Sequence, residues 1–73
     1  MKVLIVEDEQ AAVKRLRKML AAIDGSIEVV ADVPSITGAV EWFSANAAPD
    51  LALFDVQLAD GDSFEVFKRV EVP

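Results

Sequence analysis

The amino-acid sequence predicts an α/β fold in which helices cover a parallel β-sheet. Two four-residue apolar runs, residues 3–6 and 51–54, are typical of strands buried on both faces. Apolar side chains recur at helical spacing in the segments that follow the strands, which gives the element order βαβαβα and hence a parallel sheet. The length of 73 residues allows one small domain at most.

The first strand and the first helix occupy the beginning of the chain. Residues 2–6 form the predicted strand and residues 9–23 the predicted helix, which Gly25 would end. The apolar positions of this helix lie three or four residues apart, at Ala12, Val13, Leu16, Leu20 and Ile23. This spacing predicts a single helix face that packs on the sheet.

The second strand, predicted at residues 27–33, has a mixed pattern. Alternation predicts four apolar residues on one face, Ile27, Val29, Ala31 and Val33. The other face would carry Glu28, Val30 and Asp32. Because two of these three side chains are acidic, the pattern favours an edge strand that is less buried than the other two.

The second helix is predicted to begin at Pro34 and Ser35 and to end before Pro49. Its shared apolar face consists of Ile36, Val40, Phe43 and Ala47. Trp42 is interpreted as a packing residue. A third strand at residues 51–55 then follows.

After the third strand, residues 57–61 are predicted to form a loop. Asp62 and Glu65 have the spacing of a capping box at the start of a third helix. The apolar residues of that helix are Phe64, Val66, Phe67 and Val70.

Three acids follow the two wholly apolar strands. If those strands are neighbours and the mixed strand is the edge, the spatial order is 2-1-3, and the carboxyl ends of strands 1 and 3 form a ligand crevice. Glu7 and Asp8 follow strand 1, and Asp55 ends strand 3. Three carboxylates in one crevice repel one another unless a cation joins them, so the sequence predicts a divalent metal site. With no histidine and no cysteine, its ligands must be oxygen atoms.

Composition excludes several other classes of function. A formal charge of −6 and a pI near 4.3 argue against direct nucleic-acid binding by this chain. The longest apolar stretch is too short to span a membrane, and the first residues lack a signal-peptide core. The expected location is therefore the cytoplasm.

Two segments carry a resemblance to a known family. They are Lys2-Val3-Leu4-Ile5-Val6-Glu7-Asp8-Glu9 and Pro49-Asp50-Leu51-Ala52-Leu53-Phe54-Asp55-Val56-Gln57-Leu58-Ala59-Asp60-Gly61. Together they resemble the receiver domain of two-component response regulators, a flavodoxin-like fold. The ending Leu-Ala-Asp-Gly is most similar to receivers that precede LytTR-type DNA-binding domains. The resemblance implies that residues 1–73 are the amino-terminal part of one receiver domain, with no effector domain in the chain.

The resemblance assigns roles to the acids. It implies that Asp55 is the phosphoacceptor, which takes a phosphoryl group from a sensor histidine kinase with the help of Mg²⁺. Asp8 and Asp55 would be direct metal ligands, Glu7 would act directly or through water, and the backbone carbonyl of Gln57 would complete the set. Gly61 would permit the turn into the third helix. A receiver of this kind is not a classical enzyme, since at most it catalyses its own phosphorylation and dephosphorylation.

The sequence also departs from the family pattern. The family's later strands supply a Ser or Thr and a Lys beside the phosphoryl group, and neither has a candidate here. After Asp55 the only cations are Lys68 and Arg69. Metal binding could therefore survive while phosphoryl transfer is impaired. The outer edge of the third strand is expected to be exposed, which predicts a homo-oligomer or a strand-exchanged dimer.

Other interpretations of the same residues remain open. Each acid alone could be a solvated loop residue or could favour a helix amino terminus. The basic group Lys14, Arg15, Arg17 and Lys18 lies where the family docks its kinase, but a solvated helix face is the safer interpretation, since one basic face does not outweigh the acidity of the chain. The motif Asp55-Val56-Gln57 lacks the second acid of haloacid dehalogenases and Toprim sites, and no Gly-x-Gly-x-x-Gly follows strand 1. The main alternative is a receiver-like interaction or assembly module that is not phosphorylated.

Overall fold

The computed structural model describes residues 1–55, 57–58, 61–62 and 64–69 of the chain. In chain order the elements are β1 (Lys2–Val6), α1 (Gln10–Ile23), β2 (Glu28–Val33), α2 (Ile36–Ala45), β3 (Leu51–Phe54), β4 (Gln57–Leu58), β5 (Gly61–Asp62) and α3 (Phe64–Arg69). The predicted α/β class is confirmed. In the part of the chain that the structure describes, no helix is long and apolar enough to cross a membrane.

The main sheet has the predicted order, β2-β1-β3, and both strand pairs are parallel. β1 pairs with β3 in direct register from Val3 opposite Leu51 to Val6 opposite Phe54. The sequence expectation of a 2-1-3 order is therefore confirmed. Connections leave β1 and β3 toward opposite sides of the sheet in this order, so the switch point lies between their carboxyl ends.

Two apolar clusters form the core, one on each face of the sheet. The α1-side cluster joins Val3 and Ile5 of β1 to Val13 of α1. The α2-side cluster joins Leu4 and Val6 of β1 to three buried residues of the helices on that face, Ile36, Ala39 and Val66. All four of these β1 side chains are fully buried, so β1 supplies the centre of both clusters.

A β-bulge in β2 contradicts the predicted alternation of that strand. Val3 pairs with Val29 but Leu4 pairs with Ala31, so the register steps past Val30. One extra residue shifts the side-chain alternation by one position. Val29 therefore packs in the α1-side cluster, together with Ile27, whereas Ala31 packs in the α2-side cluster, together with Val33. The prediction of one shared face for these four residues is wrong.

The first helix packs as its spacing predicts, except at its end. Val13 is buried in the α1-side cluster, and Leu16 and Leu20 pack against it. Ile23 is 74% exposed, so its predicted packing is wrong. At about 1.5 Å per residue, α1 is roughly 21 Å long, whereas the five residues of β1 span roughly 17 Å. The last turn of α1 therefore extends past the strand that it covers.

The second helix is shorter than predicted. Ser35 is its N-cap, and the Ser35 hydroxyl accepts a hydrogen bond of 2.9 Å from the Gly38 N–H. The helix ends at its C-cap, Asn46, whose backbone is extended and whose N–H and side-chain amide both donate to the Trp42 carbonyl, at 3.0 and 2.9 Å. Ile36, Val40 and Phe43 pack in the α2-side cluster as predicted. Ala47 lies beyond the helix and is exposed, which corrects its predicted place on that face.

The predicted loop after β3 contains a small hairpin. β4 and β5 pair antiparallel, with Gln57 opposite Asp62 and Leu58 opposite Gly61. A two-residue strand is too short to give a periodic signal in the sequence. The predicted capping box involves the side chains of Asp62 and Glu65, which lie outside the described part of the structure, as does Val70.

Candidate metal centre

Backbone hydrogen bonds hold the three predicted site acids at one edge of the sheet. Glu7 follows β1, and its N–H donates to the Val33 carbonyl of β2 at 3.0 Å. Asp55 follows β3, and its N–H donates to the Val6 carbonyl at 2.8 Å. The backbone hydrogen bonds of the strand pairings thus extend to Glu7 and Asp55 and fix the backbone positions of these two acids.

The three carboxylates form a single group. One carboxylate oxygen each from Glu7, Asp8 and Asp55 lies within 4.8 Å of the others. Glu7 and Asp55 are half-buried, and Asp8 is exposed. The expectation that these acids lie close together at the carboxyl ends of β1 and β3 is confirmed, and their role as metal ligands stays a prediction.

Electrostatics within this acid cluster favour a cation. Partial burial raises the pKa of the Glu7 carboxyl above its ordinary value of 4.5, and the neighbouring carboxylates of Asp55 and Asp8 raise this pKa further. A hydrogen bond of 3.2 Å from the Glu9 N–H to Glu7 Oε1 opposes the increase. A carboxyl group with a raised pKa is one whose charged form is short of stabilising partners.

Among the described residues, Arg17 forms an ion pair with Asp32 at 2.6 Å rather than with a carboxylate of this cluster. Mg²⁺ binds oxygen at about 2.0–2.1 Å, so opposite ligands of one ion lie roughly 4.2 Å apart. The 4.8 Å spread of the cluster is slightly wider. The donor set therefore fits a Mg²⁺ ion held by two carboxylates directly and by the third through a small side-chain movement or a water molecule.

Two further predicted residues lie downstream of Asp55. Gln57 is the first residue of β4, and its carbonyl as a metal ligand stays a prediction. Gly61 begins β5 with a φ of +138°, a backbone conformation that residues other than glycine rarely adopt. A Cβ atom at Gly61 would also lie 3.2 Å from Ile36 Cδ1. The interpretation of Gly61 as a turn residue is supported by both observations.

One contributor to the site was missed in the sequence, the backbone N–H of Glu9. Its bond to Glu7 Oε1 orients that carboxylate toward the cluster. No side-chain pattern could have identified this donor, because every residue except proline carries a backbone N–H. The basic residues Lys14, Arg15, Arg17 and Lys18 are all exposed on α1.

The fold and the site define a class of protein: a parallel α/β module with an acid cluster at the carboxyl ends of β1 and β3. The family model described as the response regulator receiver domain matches residues 3–72, nearly the whole chain. This chain therefore belongs to the receiver domain family of two-component signalling. Neither the comparison with curated proteins nor that with solved structures gives a match. Receiver domains typically bind Mg²⁺ and serve as signalling modules rather than as classical enzymes.

Proposed function

We propose that this chain is the phosphoacceptor module of a response regulator and that Asp55 receives the phosphoryl group. The observation that carries the proposal is the grouping of Glu7, Asp8 and Asp55 within 4.8 Å in a chain that the receiver family matches over residues 3–72. Asp55 is half-buried, so its carboxylate is accessible to a donor while its backbone is held by β1.

The chemistry is an attack by a carboxylate oxygen of Asp55 on the phosphorus of a phosphohistidine. The new O–P bond gives an aspartyl phosphate, the N–P bond breaks, and the donor imidazole takes up a proton. A Mg²⁺ ion would neutralise charge between the anionic carboxylate and the anionic phosphoryl group. Asp8 and Asp55 would hold it directly, Glu7 directly or through water, and the Gln57 carbonyl would complete the protein ligands.

The donor would be a sensor histidine kinase in the cytoplasm. The exposed basic residues of α1 provide a surface that an acidic region of the kinase could contact, and a solvated helix face is the safer interpretation of the same residues. The segment Leu58-Ala59-Asp60-Gly61 supports a LytTR-type regulator, in which a separate domain would bind DNA. Within these 73 residues, the cations that follow Asp55 are Lys68 and Arg69, both in α3. We therefore expect slow phosphoryl transfer by this polypeptide.

Incubation with Mg²⁺ and acetyl phosphate tests the role of Asp55. Intact mass spectrometry should show the addition of one phosphoryl group, which peptide mapping should locate at Asp55. Asp55→Asn should abolish the addition, and omission of Mg²⁺ should reduce it strongly. Asp50→Asn is the matched control, because Asp50 lies at the other end of β3 and asparagine can still accept the Lys2 N–H. Modification of Asp55→Asn to the same extent as the unchanged chain would contradict the proposal.

A second candidate function rests on the exposure of β3. Leu51 is 38% exposed, the other β3 residues are half-buried, and within the described residues β3 pairs with β1 alone. An apolar strand with an open edge is a template for another strand. In this alternative the chain is an unphosphorylated interaction module that forms a homo-oligomer or a strand-exchanged dimer through β3.

Light scattering over a range of concentrations tests this alternative. A dimer that dissociates on dilution would support it, and Leu51→Lys should weaken the dimer by placing a charge at the strand edge. Ala45→Lys, at an exposed position of α2, adds the same single charge away from the strand edge and serves as the matched control. A monomer at high concentration that still binds Mg²⁺ would exclude self-association and leave the phosphoacceptor role intact.

A further inference from the structure

Two large apolar side chains lie exposed on one flank of α1. Met19 is 59% exposed and Ile23 is 74% exposed. Arg17 lies about 160° from Met19 around the helix axis, and it forms its ion pair with Asp32 of β2 at 2.6 Å. The flank that carries Met19 is therefore directed away from β2. We call this flank the α1 ridge; its residues, all exposed, are Arg15, Met19, Ala22 and Ile23.

The α1 ridge is separate from the face of α1 that packs on the sheet. That face contributes Val13, Leu16 and Leu20 to the α1-side cluster. Single exposed apolar residues are common on protein surfaces, but Met19 and Ile23 are one helical turn apart and form a continuous apolar strip. Covering this strip would remove further apolar surface from water, and small side chains beside it allow another helix to approach closely.

The end of the α1 ridge carries a negative charge. Asp24 is the C-cap of α1, and in this helix, all of which the structure describes, the last turn contains no basic residue. Hydrogen bonds from the Ser26 N–H and hydroxyl to Asp24 Oδ1, at 2.9 and 2.8 Å, lower the pKa of Asp24 below its ordinary value of 3.8. The Met1 ammonium adds a smaller attraction. The Asp24 carboxylate lies at the negative end of the helix dipole, where a further cation is favourable.

We propose that the α1 ridge is the contact surface of a two-fold dimer, in which α1 of one copy packs antiparallel against α1 of a second copy. In a pair centred on Met19, Arg15 of each copy lies level with Ile23 of the other, one residue from Asp24. The Arg15 stem would pack on Ile23, and its guanidinium would pair with the Asp24 carboxylate. The two-fold axis repeats this contact and closes the assembly at two copies.

The positive charges of α1 are compatible with this pairing. Lys14 and Lys18 lie about 140° and 100° from Met19 around the helix, so they lie outside the contact. Arg17 is held by its ion pair with β2. The two Arg15 side chains are about 12 Å apart along the helix pair, which exceeds the Debye length of about 8 Å at physiological ionic strength. Each contact is small, so we expect a dissociation constant of about 0.1 mM and a monomer at micromolar concentrations.

Sedimentation velocity from about 10 µM to about 1 mM measures this dimer. Ile23→Glu places a charge in the apolar strip and should weaken the dimer at least tenfold. The matched control is Ala21→Glu, which adds the same charge to an exposed position of the same turn, about 160° from Met19, and should leave the dimer unchanged. Circular dichroism checks that both variants keep their helix content.

The charge pair across the dimer is tested by a double-mutant cycle. Arg15→Gln and Asp24→Asn should each weaken the dimer about threefold, and the double variant should be no weaker than either single variant. Asparagine at position 24 can still accept the Ser26 hydrogen bonds. Strictly additive losses would show that these side chains do not pair and would overturn the antiparallel arrangement.

The dimer through α1 is distinct from self-association through β3, and the two can be told apart. Leu51→Lys should leave the α1 dimer intact. A dimer that is lost in Leu51→Lys and kept in Ile23→Glu would overturn the inference, as would a monomer at 1 mM or equal losses in Ile23→Glu and Ala21→Glu. The measurements need neither Mg²⁺ nor a phosphodonor, so their outcome is independent of the role of Asp55.

Discussion

Strands β1 and β3 have similar sequences and different environments. Each consists of apolar residues that lead into an acid. The side chains of residues 3–6 in β1 are fully buried, whereas β3 is half-buried and its Leu51 is 38% exposed. β1 lies between two strands, and β3 pairs with β1 alone among the described residues. An apolar run therefore identifies a strand, while the neighbours of that strand decide how deeply it is buried.

This difference bears on the acid cluster, which spans both strands. Glu7 and Asp8 follow the fully buried strand, and Asp55 follows the half-buried one. The hydrogen bond from the Asp55 N–H to the Val6 carbonyl joins the two halves of the site. The position of the proposed phosphoacceptor therefore depends on the pairing of β3 with β1, which makes the stability of that pairing a functional property.

The largest effect on the free energy of unfolding is expected when either of two side chains that lie opposite each other in neighbouring strands is truncated. Ile5 of β1 and Leu53 of β3 are direct partners in the α1-side cluster. Ile5→Ala removes a fully buried side chain and should lower the free energy of unfolding by about 2–5 kcal/mol. Leu53→Ala should cost about half as much, because Leu53 is only half-buried.

Urea denaturation followed by circular dichroism measures both changes. Met19→Ala is a useful control, because Met19 is 59% exposed on α1 and should change the free energy of unfolding by less than about 0.5 kcal/mol. Equal decreases in the free energy of unfolding for Ile5→Ala and Leu53→Ala would show that β3 is buried as deeply as β1. That result would contradict the difference in burial between the two strands.

Much of this fold was predictable because the relevant signals are local. The apolar runs of β1 and β3 and the helical spacing of α1 follow from single stretches of sequence. The bulge at Val30 was not predictable, because it is a property of the register between β1 and β2. The β4–β5 hairpin was missed for a related reason, since strands of two residues have no measurable period.

The candidate site was predictable to a different extent. The grouping of Glu7, Asp8 and Asp55 follows from the strand order, since parallel strands bring their carboxyl ends to one edge. The Glu9 N–H, which donates to Glu7 Oε1, was not predictable, because every residue except proline carries such a donor.

An effect of intermediate size on the free energy of unfolding is expected from substitutions of two glycines, one in the segment after β3 and one in the connection from α1 to β2. The segment after β3 passes through Gly61, where φ is +138° and a Cβ would meet Ile36 Cδ1 at 3.2 Å. Gly61→Ala should lower the free energy of unfolding by about 1–3 kcal/mol. Gly25 lies in the connection from α1 to β2, and no atom lies within 4 Å of a Cβ there.

Gly25→Ala is therefore the matched control for Gly61→Ala. It should be neutral or should stabilise the chain by up to about 1 kcal/mol, because alanine restricts the unfolded chain. Thermal unfolding of both variants checks the pair. A Gly61→Ala variant with an unchanged unfolding temperature would mean that the segment after β3 relaxes easily. The two glycine positions would then not differ in their sensitivity to a Cβ atom.

The smallest expected effect is a dependence of stability on pH that arises from Glu7, the first acid after β1. Partial burial and the carboxylates of Asp55 and Asp8 raise the pKa of Glu7 in the folded chain above 4.5. The contribution of Glu7 to stability is thus fully present below pH 4.5 and is lost as the pH rises through the raised pKa. Glu7→Gln should unfold at a higher temperature than the unchanged chain at pH 7, and this difference should shrink toward pH 4.

Thermal unfolding between pH 4 and pH 7 without Mg²⁺ measures this dependence, with Glu41→Gln on exposed α2 as the control that should show no trend. Added Mg²⁺ should reduce the difference in unfolding temperature between Glu7→Gln and the unchanged chain at pH 7. The ion would bind the carboxylates of the folded unchanged chain and stabilise that chain by mass action. If the unchanged chain instead became more stable than Glu7→Gln as the pH rose, the Glu7 carboxylate would have a favourable partner in the absence of metal. The cluster would then not need a cation, and the metal site itself would be in question.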